Sequence, residues 1–133
     1  MRKSLSWIGV SLAAVLLLIW SAPAGAQAGA LDGKVFVGTM AEKGKTKADK
    51  DTFLFNQGKF RSIACDTYGF TETSYTAAVG GGATTFEAES TSPKEGTMKW
   101  KGTVKGDAIE GTAVWMKKGQ ADMHYIFKGT LKK

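Results

Sequence analysis

The stretch Thr97–Met116, "TMKWKGTVKGDAIEGTAVWM", decides the fold. Met98, Trp100, Gly102 and Val104 alternate with Thr97, Lys99, Lys101, Thr103 and Lys105. That period of two belongs to a strand with one buried face and one wet face. Gly106-Asp107 then reads as a two-residue hairpin turn, because glycine supplies the positive φ that primed turns require. The turn sets Val104 opposite Ile109, Gly102 opposite Gly111, Trp100 opposite Ala113 and Met98 opposite Trp115. A slip of one residue would carry the lysines into the core, so the register is strongly specified.

The same reading extends outward on both sides. "TTFEAES" turns Phe86 and Ala88 inward and sets Glu87 and Glu89 near Lys101 and Lys99, a cross-strand attraction of a few tenths of a kcal/mol. "YTAAVGGGATTF" predicts a hairpin through Gly80–Gly82 with Tyr75, Ala77 and Val79 inward. "TFLFNQGKFRS" predicts one through Gln57-Gly58, with Phe55 facing Phe60. "MHYIFKGTL" places Met123, Tyr125, Phe127, Gly129 and Leu131 on one face. Eight candidate strands follow, joined by short connections except around Glu42–Lys50. "EKGKTKADKD" (Glu42–Asp51) interleaves lysines with acids and reads as a solvated loop.

An antiparallel meander of eight strands has a natural closed solution, the up-and-down β-barrel, which leaves no exposed edge. Gly-Thr recurs at Gly38, Gly102, Gly111 and Gly129. Gly102, Gly111 and Gly129 are expected side by side on the inner face, where they let coiled strands bend and approach closely. Gly38 in the same row would bring the first strand beside the last, with Phe36 inside and Val35 and Val37 outside.

Ahead of the strands lies a different kind of sequence. Arg2 and Lys3 precede an uncharged apolar run, Ile8–Trp20, and Ala24-Gly25-Ala26 follows as a small-x-small cleavage signal. This is the pattern of a secretory signal peptide over 1–26, with 27–32 expected as a flexible mature N-terminus and 33–133 as the barrel domain. The apolar run is short for a membrane span, and no cysteine follows it closely to carry a lipid anchor. Export to the periplasm or beyond is expected, with no stable membrane insertion after cleavage. Removing residues 1–26 leaves 107 residues and takes two basic residues and no acidic one, so the net charge falls from +6 to +4. That length supports one small core. The lysines are scattered among acids and form no basic-aromatic stripe, which argues against nucleic acid as a partner.

The strands and their length, with "KWKGTVKGDAIEGT", resemble the small calycin-type barrels, the group of lipocalins and avidins, and within it short secreted bacterial proteins of lipocalin-like form. The resemblance covers most of Leu31–Lys133. It implies a barrel and a habit of binding small ligands inside it. The lipocalin Gly-x-Trp signature is absent, its place reading Gly33-Lys34-Val35-Phe36, and no avidin-like set of ligand-binding residues carries over.

The inventory for catalysis is thin. There is one His and one Cys, and Glu87, Glu89 and Glu110 fall on outward faces. A Cys65–His124 dyad is opposed by the outward reading of His124. Met116 beside His124 suggests soft-metal chemistry, but one Met–His pair is not a copper site; no metal and no cofactor is expected. Val114, Met116, His124 and Ile126 form instead a candidate interaction patch on the outer face. The inner face should carry Phe53, Phe55, Phe60, Tyr75, Phe86, Trp100, Trp115, Tyr125 and Phe127, with Met98, Val104, Ile109 and Met123. So many rings argue for a largely filled interior, with Tyr75, Trp100, Trp115 and Tyr125 as candidate contacts for a ligand at one open end.

These features point to a non-catalytic binding module for a small apolar or aromatic molecule. The alternative is a protein-interaction module, an envelope scaffold or inhibitor, that uses loops or the outer patch. Cys65, in "FRSIACDTYGF", cannot form an intramolecular disulfide, because it has no partner cysteine. The hairpin register turns it outward with Ile63, where Tyr68 and Phe70 could cover it as an inert thiol. Left uncovered, it would link two copies into a dimer.

Overall fold

The computed structural model describes residues 28–133; the signal-peptide assignment to 1–26 lies outside them. Eight antiparallel strands close into an up-and-down barrel in chain order. They are β1 (Val35–Glu42), β2 (Ala48–Asn56), β3 (Lys59–Ser62), β4 (Thr73–Gly80), β5 (Ala83–Ser92), β6 (Gly96–Lys105), β7 (Ala108–Met116) and β8 (Met123–Leu131). One helical turn, α1 (Ile63–Asp66), interrupts the meander between β3 and β4.

The deciding hairpin has the expected register: Val104 faces Ile109, Gly102 faces Gly111, Trp100 faces Ala113 and Met98 faces Trp115. Phe55 faces Phe60. Glu87 and Glu89 face Lys101 and Lys99. β1 pairs with β8 through Gly38 and Gly129, which closes the barrel, and Phe36 is inside while Val37 is exposed.

Four expectations need correction. The glycine row is broken, because Gly111 faces Phe127 while Gly129 faces Ile109. The β7–β8 connection spans residues 117–122, so Val114, not Met116, faces His124. Val79 is exposed rather than inward. β3 meets β4 only through Lys59↔Ser74 and Phe60↔Thr73, so the half of β4 that carries Val79 has no paired residue on β3. The loop after β1 is also shorter than expected, since Ala48, Asp49 and Lys50 already pair with Ala41, Met40 and Thr39.

The interior is filled by rings. Phe36, Phe53, Phe55, Phe60, Phe86, Trp100 and Phe127 are essentially inaccessible. They meet edge-on or tilted, with centroids between 4.9 Å (Phe55–Phe86) and 6.2 Å (Phe53–Trp100). Such ring pairs add about 0.5–1.5 kcal/mol each beyond the area they bury. The paired glycines make room for them. A Cβ on Gly102 would stand 2.6 Å from Phe86 Cε1 and 2.8 Å from Phe127 Cζ.

The two ends of the barrel differ. At the hairpin end, residues 28–33 make successive turns, although 27–32 are expected to be flexible, and Leu31 is fully buried. The Tyr75 hydroxyl accepts from the Leu31 amide (3.0 Å) and donates to Asp32 Oδ1 (2.7 Å), while Asp32 accepts from the Gly58 amide. One apolar side chain thus seals that end. The opposite end is covered by α1 and the segment that follows it.

Candidate functional site

The lid over that opposite end is built from "SIACDTYGF". Ser62 ends β3, and the chain turns helical at Ile63 instead of extending the strand. No side chain within the segment caps the helical turn. The cap comes from β2 instead. Asp51 accepts from the Ala64 amide (2.9 Å), the Ser62 hydroxyl and the Thr52 amide (2.7 Å). Asp51 is buried, and burial pushes its carboxyl above the ordinary value of 3.8 against the opposing pull of these hydrogen bonds. The far side of the lid is tied by the Ser92 hydroxyl, which donates to the Tyr68 carbonyl (2.7 Å). On the solvent side Arg61 pairs with both carboxylate oxygens of Asp66.

Beneath the lid is a cavity of about 320 Å³. Met40, Met98, Trp115 and Tyr125 line it from the barrel, Cys65, Tyr68 and Phe70 from the lid, and Asp49 stands at its edge. Trp115 is oriented by its indole N–H, which donates to the Glu95 carbonyl at 2.5 Å; Lys117 then pairs with the Glu95 carboxylate. The Tyr125 hydroxyl reaches Met123 Sδ at 3.9 Å.

Of the four ring residues read as ligand contacts, only Trp115 and Tyr125 come together here. Trp100 is locked in the core between Phe53, Phe60 and Phe127, and Tyr75 serves the sealed end. The outer patch is partly assembled. His124 faces Val114 and the exposed Ile126 lies two residues along, while Met116 sits beyond them opposite Thr97.

Cys65 is not outward. α1 rotates it off the strand register, and it is buried at the cavity wall. Burial is the main cause that lifts its thiol from 9.0 to about 11; a Ser62 hydrogen bond opposes this and the charges of Asp51 and Asp66 add to it. Phe70 is buried with it, whereas Tyr68 stays exposed. The thiol is buried, and Phe70 lines the same cavity.

Asp49 and Asp51 were absent from the residues singled out in the sequence, although carrying the Phe53/Phe55 alternation two steps upstream would have pointed Asp51 inward. Asp51 is buried inside the barrel whereas His124 is exposed on the outer face of β8, so the two make no acid–base pair. A larger depression of about 710 Å³ on the outer surface is an open saddle over Ala78, Gly102 and Gly111, rimmed by the solvated Glu87, Lys101 and Glu110.

No family model, curated protein or solved structure matches this chain. The closed eight-stranded meander is consistent with a calycin-like architecture, and any link to that family rests on the pattern alone.

Proposed function

We propose that this is an exported, non-catalytic binding protein that holds a small apolar or aromatic molecule under the lid. One observation carries the reading. The interior is packed solid with rings, yet Tyr68, Phe70, Trp115 and Tyr125 line a half-open cavity at the mouth and make none of the ring–ring contacts of the interior. Core rings pack on rings; rings left around a concavity with few polar groups are the usual makings of a small-molecule site. The cavity lies near the lower end of the about 300–1,000 Å³ typical of such sites, so the ligand is small. Catalysis is disfavoured by the chemistry in place. The only thiol is held protonated by burial, and His124 stands on the outer face.

A neutral fluorophore such as N-phenyl-1-naphthylamine tests this directly. Native protein should enhance its emission saturably, Trp115→Ala and Tyr125→Ala should weaken binding at least several-fold, and Tyr75→Phe should not. Binding indifferent to Trp115 and Tyr125 would overturn the assignment. Native mass spectrometry of protein taken from its own compartment adds the mass of any retained ligand and the mature N-terminus, expected near Gln27.

A second reading, a protein-interaction module, is favoured by the filled interior together with the apolar Ile126 exposed beside Val114 and His124. A co-purifying protein lost on Ile126→Glu, with the cavity empty, would support it.

A further inference from the structure

The chemistry of the mouth says more than "apolar". The mature chain carries a net charge of +4, and lysines stand on the neighbouring loop at Lys43, Lys45 and Lys47. None of them lines the cavity; its one charged lining residue is Asp49, exposed at the rim. With one carboxylate and no lysine or arginine in the lining, the mouth suits a cation better than an anion.

The rings supply the second half of the argument. None of Tyr68, Phe70, Trp115 and Tyr125 takes part in the ring–ring contacts that knit the interior, and Tyr68, Trp115 and Tyr125 each keep part of their surface open at the mouth. A ring face carries the negative end of the aromatic quadrupole and attracts a positive group placed over it. Several such faces with one carboxylate at the edge suit an alkylated ammonium. Its methyl groups replace water against the rings and the Met40 and Met98 thioethers, and its charge is answered by Asp49. An ordinary hydrated ammonium would have to give up hydrogen bonds that the cavity lining does not replace.

We infer that the mouth cavity is a site for a small organic cation, an alkylated or quaternary ammonium, held by Tyr68, Phe70, Trp115 and Tyr125 with Asp49 as counter-ion. This rests on reading the mouth as a small-molecule site, and the test separates the two. Choline and its uncharged carbon isostere 3,3-dimethylbutan-1-ol are titrated into ¹⁵N-labelled full mature protein, with the amides of Cys65 and Tyr125 as reporters. Choline should bind roughly tenfold tighter than the isostere, the scale of a desolvated cation–π contact. Asp49→Asn, at an exposed position, should cut that preference several-fold. Tyr68→Ala should weaken choline more than the isostere. Equal binding of the two molecules overturns the cation assignment while leaving a neutral-ligand site in place. Failure of both to shift the mouth resonances, with N-phenyl-1-naphthylamine also unbound, overturns both.

Discussion

Gly102 and Asp51 illustrate two kinds of single-residue control. At Gly102 the determinant is space: the inner face there is occupied by the Phe86 and Phe127 rings, so a methyl group has nowhere to go. Gly102→Ala should destabilise the fold by about 1–3 kcal/mol through overpacking. Gly106 has a positive φ of 58° but open space around it, so Gly106→Ala should cost only about 1–2 kcal/mol of backbone strain. Urea denaturation of the pair distinguishes crowding from strain. At Cys65 the determinant is burial. A thiol moved from 9.0 to about 11 has about one hundredth of the thiolate at pH 8, so native Cys65 should react with a disulfide reagent at least a hundredfold more slowly than the unfolded chain. Reaction at the unfolded rate would show that the lid stands open, and would leave a Cys65-linked dimer accessible.

At the scale of elements, the hairpins and the lid behave differently because their hydrogen bonds come from different places. β5, β6 and β7 are paired along nearly their whole length, whereas β3 holds β4 through two residue pairs before α1 leaves the sheet. Native-state hydrogen exchange should therefore find Lys59–Thr73 opening at a lower free energy than β5–β7. The lid is held by Asp51, whose folded pKa lies above its unfolded value. A raised acid of this kind contributes stability that is present below 3.8 and lost as pH rises through the folded value. Relative to Asp51→Asn, which removes that titration, wild type should gain stability as pH falls from 7 towards 4. Asp51→Ala, which leaves the Ala64 amide and Ser62 hydroxyl without their partner, should cost about 1–3 kcal/mol and loosen the lid first. A flat difference between wild type and Asp51→Asn would remove the carboxyl from this account. These outcomes were not legible in "SIACDTYGF". Its alternation continued the strand, and the cap that made helix preferable came from β2, twelve residues upstream of Ile63.

For the whole molecule, the barrel divides labour between a sealed end, a solid middle and a lidded mouth. Leu31 closes the first, so Leu31→Ala should lower stability by about 2–5 kcal/mol while leaving the affinity proposed for the mouth unchanged. A change in mouth affinity would show that the two ends communicate through the ring stack. Strand number, the deciding hairpin's register and the inward rings were readable from the sequence because each depends on a period of two and a local turn. The order of closure was readable too, since a meander with short connections has only one way to use up its edges. What tertiary structure alone decided was where those patterns stopped. The length of the β7–β8 connection shifted Gly129 away from Gly111. The short β3–β4 seam exposed Val79, and an unremarkable leucine before the first strand became a plug. Cys65 turned inward because a carboxylate from another strand satisfied the helix that carries it. Alternation is a property of neighbours in the chain; caps, seams and plugs are properties of neighbours in space, and the candidate site is made almost entirely of the latter.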